Sequence, residues 1–127
     1  MSYIYCNPNP IRQSLTDCTI RAICIVTNQD WLDVFEKMCE YAKDLGDMPS
    51  TNHVWGAYLR DRGFKRYAIP NTCPDCYTVR DFAYDHPYGK YILATGHHVI
   101  AVIDGNYYDT SDSGYETPIY YYERIRI

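Results

Sequence analysis

Apolar residues recur at intervals of three to four positions in the first half of the chain, which is the spacing of helices that bury one face. The pattern predicts three helices, namely Thr16 to Val26, Asp30 to Gly46, and Thr51 or Asn52 to Gly63. Gly46 and Gly63 are the predicted stops, because glycine readily adopts the left-handed conformation that ends a helix.

From residue 64 onward short runs rich in β-branched and aromatic residues predict strands. The predicted strands are KRYAI (65–69), KYILAT (90–95), HVIAVI (98–103), NYYDT (106–110) and residues 119–127, with one short helix from Val79 to Tyr84 capped by Thr78. Helices followed by strands, without βαβ alternation, predict one α+β domain over residues 1–127. In it the N-terminal helices pack on one side of a C-terminal antiparallel sheet.

Composition and charge narrow the possible partners. The chain has 12 basic and 16 acidic residues and a net charge of −4, so it lacks the net positive field that favours nucleic acid or an anionic membrane. It contains no apolar run of about 18 residues, the length of a membrane span. The first ten residues, MSYIYCNPNP, lack the basic start and apolar run of a secretory signal. We therefore expect a cytoplasmic protein that requires no cofactor.

The six cysteines are expected to be mostly free thiols, because a chain of 127 residues needs no disulfide staples. The Cys73-Pro-Asp-Cys76 segment has the spacing of half a zinc site or of a redox pair. A structural zinc needs four ligands, with Cys6 and His86 as the remaining candidates. The sequence holds no second CxxC, and we predict no metal site.

Cys18 falls in the first turn of the first predicted helix, where backbone amides and the helix dipole favour a thiolate. A thiolate nucleophile needs an imidazole and a group that orients it. If Asp104-Gly105 is a two-residue hairpin turn, Asp109 shares a face with His98 and is its diagonal neighbour. A three-residue turn would select His97 instead, and Asp112 would replace Asp109 if the register differed.

The order Cys18, His98, Asp109 resembles that of papain-like thiol enzymes. The segments 17–40, 77–114 and 118–122 resemble a family of small papain-like cysteine peptidase domains found in bacteriophages and their bacterial hosts, and the match runs from Asp17 to Tyr122. The shared positions are Asp17, Cys18, Arg21, Ala22, His98, Ala101, Val102, Asp104, Gly105, Tyr108, Asp109 and Thr110. Thr19 and Ser111 depart from the family pattern at the wall of the site.

The resemblance implies a hydrolase that cleaves a peptide, isopeptide or amide bond through Cys18, His98 and Asp109, in the host cytoplasm if the protein is phage-encoded. Papain-like enzymes also place a polar side chain before the nucleophile to stabilise the oxyanion, for which Gln13 is the candidate and Asn7, Asn9 and Ser14 are alternatives. Asp17, Trp55 and Tyr108 are the candidates for substrate binding. The expected partner is a protein or peptide substrate. The alternative is an inactive module on the same fold that binds a host protein.

Overall fold

The computed structural model describes residues 2–11 and 17–125, which form four helices and six strands. The helices are α1 (Cys18–Thr27), α2 (Trp31–Leu45), α3 (Asn52–Asp61) and α4 (Val79–Asp85). The strands are β1 (Tyr3–Tyr5), β2 (Phe64–Ala68), β3 (Lys90–Ala94), β4 (Val99–Ile103), β5 (Asn106–Asp109) and β6 (Tyr120–Arg124). The predicted α+β class is therefore confirmed. In the described part of the chain no helix has the length and apolar character needed to cross a membrane.

The helix ends follow the signals in the sequence. Gly46 closes α2 in the left-handed conformation, with a φ of 72°. Thr78 caps α4 through a capping box, in which its side chain accepts from the Asp81 amide and the Asp81 side chain accepts from the Thr78 amide. The N-cap that we predicted for α1, Thr16, lies outside the described residues, and Asp17 occupies that position.

Replacing Thr78 by alanine is expected to lower the free energy of unfolding by about 1 kcal/mol, because the first turn of α4 loses its side-chain acceptor. Thr51→Ala is the comparison, since Thr51 precedes α3 without a side-chain cap hydrogen bond and loses only the hydrogen bond from its hydroxyl to the Met48 carbonyl. Urea denaturation of the two variants measures the difference. An equal loss in both would show that the capping box does not stabilise α4.

The sheet has the strand order β1-β5-β4-β3-β6-β2 and is mixed. All its neighbours are antiparallel except β1, which runs parallel to β5 with Tyr3 opposite Tyr107. The prediction of a purely antiparallel sheet is thus wrong at one edge. The reason is physical: β1 is three residues long, too short for a periodic pattern, and its pairing partner is about 100 positions away in the chain.

Helices occupy both faces of the sheet, and the prediction that the N-terminal helices pack on one side is confirmed for α1, α2 and α3. These three pack on the face that carries Ile92, Ala94, Val99 and Ala101. Helix α4 packs on the opposite face, through Phe82 and its neighbours. The cause lies in β3 and β4, which are apolar at consecutive positions and must therefore be covered on both sides.

The β4–β5 hairpin fixes the register on which the predicted site depends. Ile103 pairs with Asn106, and Asp104 and Gly105 form the two-residue turn with φ values of 49° and 83°. Two consecutive positive φ angles are characteristic of the hairpin turn that Asp-Gly favours. The predicted register is confirmed, and it places His98 and Asp109 on the same face.

Candidate active site

Three separate elements bring Cys18, His98 and Asp109 together. Cys18 is the first residue of α1, His98 immediately precedes β4, and Asp109 is the last residue of β5. Helix α1 packs directly against β4. The start of the helix is thereby held against the open end of the hairpin, and the structure brings together the three residues that the sequence singled out.

Asp109 is hydrogen-bonded to the His98 ring. The His98 Nε2 atom lies 2.6 Å from the Asp109 Oδ2 atom. The Ser113 hydroxyl donates to the same oxygen at 2.8 Å, and the Thr110 amide donates to Oδ1 at 2.7 Å. Asp109 is only 4% exposed, so these donors replace the water that its carboxylate has lost. Burial raises the pKa of Asp109, but the hydrogen bonds from His98 and Ser113 reverse this and leave the pKa lowered.

Cys18 and His98 shift each other's pKa toward the charged forms. Burial alone would raise the pKa of the Cys18 thiol, but the hydrogen bond and charge of His98, with the Val99 amide and the Arg21 charge, lower it. Hydrogen bonds to Asp109 and then to Cys18 raise the pKa of His98 to about 10. A lowered thiol pKa beside a raised imidazole pKa favours the thiolate–imidazolium form at neutral pH. Because the His98 Nε2 atom is hydrogen-bonded to Asp109, the His98 Nδ1 atom is the ring nitrogen that can exchange a proton with Cys18.

The other free cysteines provide a contrast. Burial raises the pKa of Cys6, and burial together with the Asp17 charge raises the pKa of Cys24 to about 12. Cys39 is half-buried in α2. The prediction that most cysteines are free is confirmed, since Cys73 and Cys76 form the disulfide. Cys18 is thus distinguished from Cys6 and Cys24 by the groups around it.

The start of α1 supplies hydrogen-bond donors beside the nucleophile. The first helical hydrogen bond runs from the Arg21 amide to the Asp17 carbonyl, so the amides of Cys18, Thr19 and Ile20 precede it. The Cys18 amide is therefore placed to donate to an oxyanion that forms on a carbonyl attacked by its own sulfur. Gln13, the predicted second donor, and its alternative Ser14 lie outside the described residues.

A cleft of about 260 Å³ opens over Cys18 and His98. One wall is formed by the β3–β4 turn, and the other by the start of α3 and the residues before β6. The lining residues are Cys18, Thr19, Ser50, Asn52, Ala94, Thr95, Gly96, His97, His98, Val99, Ile119 and Tyr120. His97 is an exposed residue of this lining and lies between Gly96 and His98 in the chain. The cleft gives a substrate access to the Cys18 sulfur, and its polar side chains offer hydrogen bonds to a peptide backbone.

Arg21 connects α1, which carries Cys18, to Asp109. Its side chain is 3% exposed and lies between the carboxylates of Asp17 and Asp109, with an NH2–Oδ1 separation of 3.9 Å to Asp109. Asp17 also accepts hydrogen bonds from the Trp31 indole and the Asn9 amide, each at 2.9 Å. These contacts tie the N-terminal segment, α1, α2 and β5 together around the site. The sequence had indicated Arg21 through the motif but gave it no role.

The three residues predicted to bind substrate lie elsewhere than in the cleft lining. Asp17 is engaged by the donors just described. Trp55 is 1% exposed and sits behind Tyr120, so it supports the cleft wall and is too deeply buried to contact a substrate. Tyr108 is half-buried on the far side of Cys18, next to Cys6. The lining residues Asn52 and Tyr120 gave no site signal in the sequence, because only the fold brings them to Cys18.

The candidate metal ligands do not converge. Cys73 and Cys76 are bonded to each other, and the His86 ring stacks on Phe82 with Nδ1 near the Phe82 carbonyl. Among residues 2–11 and 17–125, no group of three or more His, Cys, Asp or Glu side chains is arranged to hold a metal ion. The alternative acid Asp112 lies beside Arg80 and the Tyr107 hydroxyl, away from His98.

Comparison of the chain with protein-family models, with curated proteins and with solved structures gives no match in any of the three.

Proposed function

We propose that this protein is a papain-like thiol hydrolase that cleaves a peptide, isopeptide or amide bond through an acyl-enzyme intermediate. The observation that carries the proposal is the grouping of Cys18, His98 and Asp109 beside one cleft, with His98 hydrogen-bonded to Asp109 and the Cys18 pKa lowered by His98. A nucleophile, a proton carrier and an orienting carboxylate are the three groups that such a reaction needs, which supports the proposal.

In the proposed reaction the Cys18 thiolate attacks the acyl carbon, and the Cys18 amide donates to the oxygen that becomes negative. The carbon–nitrogen bond breaks as the His98 imidazolium gives its proton to the leaving nitrogen, which produces a thioester and neutral His98. A water molecule then attacks the thioester while His98 takes its proton. The acid is released, and the thiolate and imidazolium are restored. Asp109 holds the ring throughout and stabilises its positive charge.

The test uses p-nitrophenyl acetate, a small activated ester that needs no specific binding. We expect a rapid release of about one equivalent of p-nitrophenol, a matching acetyl group on Cys18 in the mass spectrum, and slower turnover. Cys18→Ala should abolish the rapid phase, whereas Cys39→Ser, which removes another half-buried free thiol, should leave it unchanged. Acetylation of Cys18 no faster than that of Cys39, or an acetyl group that never hydrolyses, would contradict the proposal and favour the inactive binding module.

A further inference from the structure

Tyr120 lines the cleft, and its ring contacts the side chains of Trp55 and Arg66. Its ring stacks on Trp55 at a centroid distance of 6.1 Å and an interplanar angle of 17°. The Arg66 guanidinium carbon lies 4.1 Å from the ring centroid. Tyr120 is thereby packed against a core residue, and the Arg66 cation lies over a ring that lines the cleft.

A second arginine stands close by. Arg60 of α3 hydrogen-bonds the Tyr122 hydroxyl, and both Arg60 and Arg66 act electrostatically on that residue. Both arginine side chains are exposed. In the part of the chain that the structure describes, neither forms an ion pair with a carboxylate, whereas Arg21 and Arg80 do. In a chain with a net charge of −4, two arginines without a carboxylate partner among the described residues thus lie at Tyr120 and Tyr122, of which Tyr120 lines the cleft.

The sheet sets the distance from Tyr120, on whose ring the Arg66 guanidinium lies, to the residues of the candidate site. Val99, which follows His98, pairs with Ala94, and Ala94 pairs with Tyr120. Neighbouring strands are about 4.8 Å apart, so Tyr120 lies about 10 Å from the His98 end of β4. An extended peptide rises about 3.3 Å per residue, so this distance corresponds to about three residues.

From this arrangement we propose that Arg66, with Arg60 and Tyr120, binds the carboxylate of an aspartate or glutamate side chain about three residues from the scissile bond. The inference rests on the proposed function, which supplies the peptide, and adds the class of substrate: an acidic peptide segment. The guanidinium plane is suited to this ligand, because it can donate two parallel hydrogen bonds to one carboxylate.

The test measures binding and not turnover, so that it does not depend on the reactivity of Cys18. In the Cys18→Ala background, acetylated hexaglycine amides with a single Glu are titrated into the protein, with the Glu moved along the peptide. The same peptides with Gln serve as neutral partners. Resonances of Thr95 and Gly96 in two-dimensional NMR report occupancy of the cleft. We expect the best Glu peptide to bind about fivefold to tenfold more tightly than its Gln partner at low salt.

Arg66→Gln should remove this preference. Lys65→Gln is the matched control, because Lys65 is also exposed on β2 but lies over Tyr67, on the other face of the strand. Equal affinities for the Glu and Gln peptides would overturn the proposal, as would a preference that survives Arg66→Gln. An equal loss of the Glu preference in Lys65→Gln would also overturn the proposal. The preference would then come from the overall positive charge of the edge strand β2 and not from Arg66. Failure of the acyl-enzyme test with a preserved Glu preference would refute the enzyme and leave the binding site.

Discussion

His98→Ala is expected to slow alkylation of Cys18 by iodoacetamide by up to about 100-fold at pH 6.5. Burial, the largest influence on the Cys18 thiol, raises its pKa, and in the wild type His98 is the main group that reverses this effect. Without the imidazole the pKa should rise to the ordinary value or above it. A thiol with a pKa of about 8.5 is only about 1% ionised at pH 6.5, and the thiolate is the reactive form.

The pH dependence of these rates distinguishes the wild type from His98→Ala further. In the wild type, alkylation should remain fast as the pH falls below the ordinary thiol pKa and should decline only through the lowered pKa of Cys18. Hydrolysis should show this decline at low pH and another at high pH. The second should occur as the pH rises through the pKa of His98, about 10, because the imidazolium that donates the proton is then lost. In His98→Ala the alkylation rate should instead rise steadily from neutral to alkaline pH.

His97→Ala is the control for this experiment, since His97 is adjacent in the chain and also lines the cleft. Mass spectrometry gives the rate at each free cysteine, so Cys39 serves as an internal reference. The pairing of Cys18 with His98 would be refuted if His97→Ala produced the same loss, or if the Cys18 profile in His98→Ala were unchanged.

Arg21→Met is expected to reduce the free energy of unfolding by about 3 kcal/mol or more, because it removes a buried cation that contacts two carboxylates and leaves Asp109 with His98 as its remaining ion-pair partner among the described residues. Arg21 is 3% exposed between Asp17 and Asp109, so water cannot readily replace the guanidinium. Methionine fills much of the space of the arginine stem, which limits the loss from packing. For a domain of this size the change corresponds to a fall in Tm of roughly 10 °C.

Arg80→Met provides the comparison, because Arg80 pairs with Asp112 on the surface and its side chain is 64% exposed. Exposed ion pairs contribute little, so its unfolding midpoint should remain close to that of the wild type. Urea denaturation at pH 7 measures both variants. Similar midpoints for Arg21→Met and Arg80→Met would show that the contacts of Arg21 with Asp17 and Asp109 do not stabilise the fold.

The parts of the site that could be predicted from sequence depend on local rules. The hairpin register followed from Asp104-Gly105, because this dipeptide favours one turn type and the turn fixes which residues face each other. Cys18 followed from its position at a helix start. The three N-terminal helices and the central strands also depend on local patterns, and their predicted ends lie within a few residues of the observed ends.

The parts that could not be predicted depend on contacts between distant segments. Strand β1 pairs with β5 across most of the chain, and no local pattern in Tyr-Ile-Tyr reveals its partner. The position of Arg66 beside the cleft requires β2 to be the outer neighbour of β6, which is a property of the sheet order. Trp55 was a candidate for substrate binding, although the structure places its side chain in the core.

The place of β6 in the sheet has a consequence for biosynthesis. Although it is the final strand of the described residues, β6 lies between β3 and β2 and supplies Tyr120 to the cleft. A nascent chain that has been translated only as far as Pro118 therefore holds Cys18, His98 and Asp109 but has neither β6 nor the Tyr120 side chain of the cleft. Strands β2 and β3 are joined only when β6 has been added, so the cleft is completed late in the synthesis of this domain.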